Sequence, residues 1–276
     1  MTSAALRRRS EALKKKWPAY APMLAFYVAV REAQLASKPE FSLEQTKGHA
    51  FASAPEMADR FPIDGAAAVA LFEELCRIGR LANPHFAAQV DQIETSIANG
   101  KLVLEPLFAR PDHTVLNRLA EEAGVDTNVL NFLVRNAVQP SVDRARDAML
   151  QEIDLAQWKQ AQCPVCGAQP TVSLFKGEPS LRLSVCSNCY CEWPVERLPC
   201  SVCGKNEKDA RAYFHNDGQE AFRIDTCDTC QHYIKTIDFT RIEVTDPTLE
   251  DLATSHLDVV AIEKGYARSV PNGWSD

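Results

Sequence analysis

Hydrophobic side chains recur at helical spacing through roughly the first 160 residues of the chain. The stripes lie, in chain order, at Met23, Phe26, Tyr27 and Val30; at Ala68, Leu71, Phe72 and Leu75; at Phe86, Val90, Ile93 and Ile97; at Leu116 and Leu119; at Leu130, Leu133 and Val134; and at Val142, Ala145, Met149, Leu150 and Ile153. Such stripes are typical of helices that bury one face in a core, rather than of cofactor sites. Residues 1–160 are therefore predicted to form an all-helical domain.

Turn and capping residues divide this region into separate helices. Asp64 is a good N-terminal cap for the second stripe, and Asn99-Gly100 closes the third. Because proline interrupts helical hydrogen bonding, the stripes before and after Pro140 are predicted to form two helices. Residues 37–61 contain prolines and are predicted to form a loop with at most one short helix.

Beyond about residue 160 the pattern changes to short alternating runs between turn residues. Residues 181–185 alternate in polarity, and residues 222–225 follow an Asn-Asp-Gly turn, which are strand and hairpin signals. The start of this region is placed between Trp158 and Cys163. A last helix is predicted after Pro247, because proline suits the first helical turn, with Gly265 as its C-terminal cap.

Composition and charge narrow the class of protein. The chain has 276 residues, of which 46% are hydrophobic and 24% charged, ordinary values for a globular protein with a core. The apolar run at residues 21–30 is too short and has the wrong flank for a signal peptide, and no stretch approaches the ~18–20 apolar residues of a membrane span. We therefore expect a cytoplasmic location without membrane insertion, where thiols stay reduced.

Nine of the ten cysteines lie between residues 163 and 230, and eight of these form four pairs with one spacing. The pairs, here called knuckles one to four, are Cys163/Cys166, Cys186/Cys189, Cys200/Cys203 and Cys227/Cys230. Two intervening residues let both sulfurs of a tight turn point at one ion, so each knuckle can supply half of a tetrahedron. Gly167 and Gly204 follow knuckles one and three, where glycine tolerates the positive φ of such a turn. In a reducing compartment this pattern indicates metal ligation rather than disulfide bonds.

The distances between the knuckles favour sequential pairing, one with two and three with four. Residues 167–185 and 204–226 can each form a hairpin that carries one knuckle over the other, whereas the connection at residues 190–199 is short. A unit below ~40 residues buries too little apolar surface to fold alone and usually needs a metal. The predicted metal modules span residues 161–198 and 199–242, and a C-terminal helix and tail occupy residues 243–276. The fold class is α plus small β.

Two metal ions per chain are expected, each held by four cysteines. Four thiolates suit zinc or iron, and the spacing does not separate the two. A closed four-sulfur site leaves no open position for substrate, which favours a structural role, with one-electron transfer by iron as the alternative. Cys191 is expected to be a passive small residue, with a spare or redox-sensitive thiol as the alternative, and Cys76 is expected to be a core residue. The sequence carries no catalytic signature, so the chain is not predicted to be an enzyme.

The charge of the cysteine-rich region argues against a nucleic-acid partner. Acidic residues outnumber basic ones between Cys163 and Asp238, and metal-bound thiolates would add further negative charge. Phosphate binding requires a basic surface, so a nucleic-acid-binding regulator is the less favoured interpretation.

Short motifs around and beyond the cysteines carry a family resemblance. They are the order of the four knuckles, the phrase Cys189-Tyr190-Cys191-Glu192-Trp193 before Arg197-Leu198-Pro199-Cys200, the acidic segment from Glu220 to Cys230, and the closing motifs Tyr233-Ile234-Lys235, Asp251-Leu252-Ala253, Leu257-Asp258 and Gly265-Tyr266-Ala267-Arg268-Ser269. Over about residues 158–269 the chain resembles the formate dehydrogenase accessory proteins, FdhE. Position 191 departs from the family pattern, because some relatives have threonine there.

The resemblance implies a helical domain followed by two rubredoxin-like or zinc-ribbon modules, with the four knuckles as metal ligands. It also implies a cytoplasmic, non-catalytic maturation factor for respiratory formate dehydrogenase. Such a factor would bind the catalytic subunit of formate dehydrogenase before its export, and iron is associated with the family's metal sites. The alternatives are a zinc-ribbon nucleic-acid-binding regulator and a rubredoxin-like electron carrier.

Overall fold

The computed structural model describes residues 2–46, 61–109, 113–197 and 199–274. Its helices are α1 (Ser3–Lys16), α2 (Ala21–Ala36), α3 (Gly65–Arg80), α4 (Pro84–Ala98), α5 (Leu104–Ala109), α6 (His113–Ala123), α7 (Thr127–Met149), α8 (Pro247–Leu252) and α9 (Ser255–Glu263). Its strands are β1 (Pro170–Lys176), β2 (Leu181–Cys186), β3 (Glu192–Pro194), β4 (Arg211–Phe214), β5 (Phe222–Cys227), β6 (His232–Asp238) and β7 (Ala267–Arg268). The predicted fold class, an N-terminal helical region followed by small β modules and C-terminal helical structure, is confirmed.

The chain divides into two compact units. The helical unit contains α2 to α7, and the sheet unit contains α1, the strands, α8 and α9. Helix α1 groups with the sheet unit rather than with the other N-terminal helices, and its Arg9 pairs at 2.6 Å with the buried carboxylate of Glu250 in α8. The domain boundaries placed at residues 160, 198 and 242 stay predictions.

In the helical unit the hydrophobic stripes become the buried faces of the predicted helices. Helix α3 packs against α2, α4, α5 and α7, and it buries Leu71, Phe72 and Leu75. Asp64 caps this helix by accepting a hydrogen bond from the backbone N–H of Ala67 at 3.0 Å. Much of the loop predicted at residues 37–61 lies outside the described residues, and its described part contains a short 3-10 helix at Leu43–Thr46. Within the described ranges, no helix is both long and apolar enough to cross a membrane.

The prediction of two helices separated at Pro140 is wrong, since α7 continues through the proline. Proline has no N–H, so the carbonyl of Asn136, four residues earlier, loses its helical donor. The side-chain amide of Gln34, in α2, donates to this carbonyl at 2.9 Å and replaces the missing bond. Gln34, Asn136 and Pro140 are all buried, so the carbonyl is shielded from bulk solvent and depends on this internal partner.

Gln34→Leu is expected to lower the free energy of unfolding by about 1–3 kcal/mol, because it leaves a buried carbonyl unsatisfied. Pro140→Ala restores the backbone donor, so the same Gln34→Leu change should cost clearly less in that background. Urea unfolding of the four chains of this double-mutant cycle measures the coupling. An equal cost in both backgrounds would contradict the interpretation.

The two predicted metal modules share one continuous sheet. Its strand order is β3-β2-β1-β6-β5-β4, with β7 added beside β6. The first module supplies β3-β2-β1 and the second supplies β6-β5-β4, and the two join through parallel pairing of β1 with β6. One face buries Leu174, Ile224 and Ile237 against Leu257 and Ala261 of α9. The sheet therefore places both cysteine clusters on a common scaffold.

The single helix predicted after Pro247 is two helices, α8 and α9. Asp246 and Pro247 begin α8 as expected, with the Asp246 carboxylate accepting from two backbone N–H groups. The buried ammonium of Lys235, in β6, donates to the carbonyls of Asp251 and Thr254 at 2.9 and 3.2 Å. The break between the two helices thus lies at the carbonyls that Lys235 binds. Gly265 ends α9 with a φ of 90°, as predicted.

Candidate metal centres

The first cluster brings knuckles one and two together. Cys163 and Cys166 precede β1, Cys186 ends β2, and Cys189 follows it. The sulfurs of Cys163 and Cys189 lie 3.6 Å apart, and those of Cys166 and Cys186 lie 3.3 Å apart. All four ligand atoms fall within 4.8 Å of one another. A tetrahedral zinc site with Zn–S bonds of ~2.3 Å has sulfur separations of about 3.8 Å, so this cluster could hold one ion.

The second cluster repeats the arrangement with knuckles three and four. Its sulfur separations are 3.9 Å between Cys200 and Cys230 and 4.0 Å between Cys203 and Cys227. These four ligand atoms also lie within 4.8 Å of one another. Knuckles one and two thus meet in one cluster and three and four in the other, which is the sequential grouping expected from the spacing.

Each knuckle is closed by a turn with a left-handed residue after its second cysteine. Gly167 and Gly204 have φ of 74° and 71°, and their N–H groups bond to the carbonyls of Cys163 and Cys200 at 2.9 Å. The two glycines therefore meet the predicted need for positive φ. Knuckles two and four use Tyr190 and Gln231 at this position, with φ of 55° and 57°. Non-glycine residues rarely adopt this conformation, so the sequence carried no signal for it.

Backbone donors further shape the clusters around the sulfur of each leading cysteine. The N–H of Val165 points to the Cys163 sulfur at 3.4 Å, and the N–H of Val202 points to the Cys200 sulfur at the same distance. Asn188 donates likewise to the Cys186 sulfur at 3.3 Å. Donors aimed at sulfur favour the thiolate form, the form that binds metal.

The two clusters differ in exposure. All four cysteines of the first cluster are buried, whereas in the second Cys203 is exposed and Cys230 is half-buried. Burial raises the pKa of Cys186 and Cys189 well above the usual thiol range. Hydrogen bonds from the neighbouring thiols lower the pKa of Cys166, but four thiolates this close would repel one another, so ionisation of all four thiols requires a cation that displaces the protons.

The remaining cysteines belong to neither cluster. Cys191 is buried after knuckle two, and its thiol lies 3.7 Å from the carbonyl of Glu192. Cys76 is buried in α3, and burial raises the pKa of its thiol to about 12. A thiol with such a pKa is protonated and unreactive at neutral pH.

A buried ionic network lies beside the sheet, and the sequence did not predict that its members would meet. Lys235 is fully buried, and its ammonium lies 2.8 Å from Asp251 and 2.7 Å from Asp258. Arg268, in β7, pairs with the same two carboxylates at 2.7 and 3.2 Å. Asn272 donates to Asp251 at 3.0 Å. The closing motifs of the family resemblance therefore meet in space and fasten α8, α9 and the C-terminal segment to the sheet.

Comparisons with known proteins agree with this resemblance. Residues 198–274 match the family model described as FdhE, C-terminal domain. A Protein FdhE homolog of Aquifex aeolicus is 33% identical over 153 residues, 53% of this chain and 52% of that protein. One of Pseudomonas aeruginosa is 36% identical over 117 residues, 40% of this chain and 38% of that protein. The match therefore spans about half or less of the length of these curated relatives.

A solved structure extends the likeness in fold. The crystal structure of the FdhE protein from Pseudomonas aeruginosa aligns with a TM-score of 0.59 at 20% identity. The alignment covers 99% of this chain and 96% of that chain. The two chains share a fold, and the resemblance to FdhE proteins is confirmed.

Proposed function

We propose that this chain is a cytoplasmic accessory factor for respiratory formate dehydrogenase and binds its catalytic subunit during assembly, before export. The observation that carries the proposal is the FdhE C-terminal domain match over residues 198–274. This stretch contains the second cluster and much of the buried ionic network. The motifs that relate the chain to FdhE are therefore the residues that build the sheet unit.

We assign the eight clustered cysteines as ligands of two ions, iron or zinc. The donor set fits, because each cluster offers four soft sulfur ligands at separations suited to a tetrahedron. A divalent ion bound there would cross-link two knuckle turns and contribute folding free energy. With four protein ligands it has no open coordination position, so the proposed role is non-catalytic.

Affinity capture from the native cell under anaerobic conditions tests the function. The tagged full chain is expected to retain the catalytic subunit of formate dehydrogenase, identified by mass spectrometry. The Cys200→Ser/Cys203→Ser variant, which keeps the buried first cluster, shows whether the second module is needed for that retention. Repeated absence of the subunit from the full-chain capture would contradict the proposal.

Two further measurements address the rival functions. Retention on DNA that falls steeply with salt would indicate a nucleic-acid-binding regulator instead. A thiolate–iron absorption spectrum that bleaches on reduction and returns on oxidation would indicate an electron carrier. We expect neither behaviour.

A further inference from the structure

Four arginines gather on the sheet near the second cluster. They are Arg182 in β2, Arg197 after β3, Arg211 in β4 and Arg223 in β5. The guanidinium groups of Arg182 and Arg211 both donate to the carbonyl of Arg197, each at 3.2 Å. Arg223 lies between the rings of Phe175 and Tyr213, with its guanidinium carbon 4.8 Å from each ring centre.

The carboxylate of Asp225 forms ion pairs with two of these arginines. Asp225 lies 3.3 Å from Arg182 and 3.1 Å from Arg223, and within the described ranges no other carboxylate forms an ion pair with the four arginines. The Arg182 side chain is only 1% exposed, and its Nε has no hydrogen-bond partner among the residues that the structure describes. Burial lowers the pKa of Arg182, although Asp225 opposes the shift. The cluster therefore carries excess positive charge, and Arg182 is its buried member, since Arg211 and Arg223 are half-buried and Arg197 is exposed.

The second cysteine cluster is the neighbouring source of negative charge. Arg182, Arg211 and Asp225 line a cavity together with Cys200 and Cys227. Its volume of about 10 Å³ has room for roughly one water molecule. Four thiolates around a divalent ion carry a net charge of about −2, which complements the arginine excess.

We propose that Arg182 supplies counter-charge to the second metal centre and thereby couples that centre to the first module. This inference rests on the assignment of the cysteines as ligands. Arg182 extends from β2, the strand that ends at Cys186 of the first cluster. Its side chain lines the cavity beside Cys200 and Cys227 of the second cluster, so it belongs to one module and contacts the other. By linkage, metal in the second centre stabilises the position of Arg182, and Arg182 strengthens metal binding there.

Cadmium-113 NMR of the full chain tests this coupling, because each four-sulfur site gives its own resonance. The Cys200→Ser/Cys203→Ser variant identifies which resonance belongs to the second centre. Arg182→Gln should shift that resonance and accelerate cadmium loss to a chelator about tenfold or more, the usual size of effects from groups around the ligands. Arg182→Lys, which keeps the charge, should recover part of the loss.

Two further arginine variants serve as controls for Arg182→Gln. Arg211→Gln removes a half-buried charge from the same cavity without uncovering Asp225, and it should also weaken the second centre selectively. Arg241→Gln, at an exposed arginine paired with Asp238 away from both clusters, should change neither centre. Unchanged release in the Arg182→Gln variant, or equal acceleration at both centres, would overturn the inference. Failure of the unmodified chain to bind cadmium would instead refute the ligand assignment.

Discussion

Cys186→Ser is expected to abolish metal binding at the first cluster and to eliminate the cooperative unfolding transition of the sheet unit. Cys186 is fully buried and ends β2, with its sulfur 3.3 Å from that of Cys166. Structural zinc supplies ~10–16 kcal/mol of apparent binding free energy in small modules, which is comparable to the whole ~5–15 kcal/mol stability of a typical domain. Metal content, near-ultraviolet circular dichroism and urea unfolding measure the loss.

Cys191→Ala is the matched control for this substitution. Cys191 is buried in the same module, and its sulfur is outside the four-sulfur group. The control should keep its metal and lose only about 1 kcal/mol, a common size for a small buried truncation. Equal metal loss in both variants, or a Cys186→Ser chain with full metal content and stability, would contradict the structural role of the cluster.

Asp251→Asn is expected to cost about 3–5 kcal/mol of unfolding free energy, the usual effect of removing one partner from a buried ion pair. The Asp251 side chain is 1% exposed and lies between Lys235 and Arg268. In the variant these two cations share the carboxylate of Asp258 alone. Glu243→Gln is the control, because it removes an exposed partner of Arg8 and should cost at most about 1 kcal/mol. The denaturant midpoints of the Asp251→Asn and Glu243→Gln chains measure the difference in stability.

The same carboxylate predicts acid sensitivity. Burial acts to raise the pKa of Asp251, but Lys235 and Arg268 outweigh it and hold the pKa below its usual value. A depressed pKa contributes stability above the unfolded value of about 3.9 and loses it as pH falls toward the folded value. The wild-type chain should therefore lose stability below about pH 4 more steeply than Asp251→Asn. Parallel pH profiles would contradict this role.

Features that depend on neighbouring residues were predictable from the sequence. The stripe beginning at Ala68 and the cap at Asp64 place α3 correctly, because helix formation and capping act over a few residues. The knuckle spacing likewise predicted the turns, and the lengths between knuckles predicted their grouping.

Features that depend on distant partners were not predictable in this way. Helix α7 continues through Pro140 because Gln34, far away in the sequence, donates to the freed carbonyl. The parallel pairing of β1 with β6, which merges the two modules into one sheet, has no local signal either. Lys235 lies in a strand, and a charged side chain there is expected from the sequence to face solvent. Its contact with Asp251 explains why it is buried instead.

Native mass spectrometry of freshly purified chain, prepared without chelators, tests the central claim most directly. We expect two metal ions per chain, and one ion in the Cys200→Ser/Cys203→Ser variant. Acid denaturation should release both ions and leave the mass of the reduced polypeptide, since none of the ten cysteines forms a disulfide bond. A folded chain that carries no metal would contradict the claim that two four-cysteine centres hold the sheet unit together.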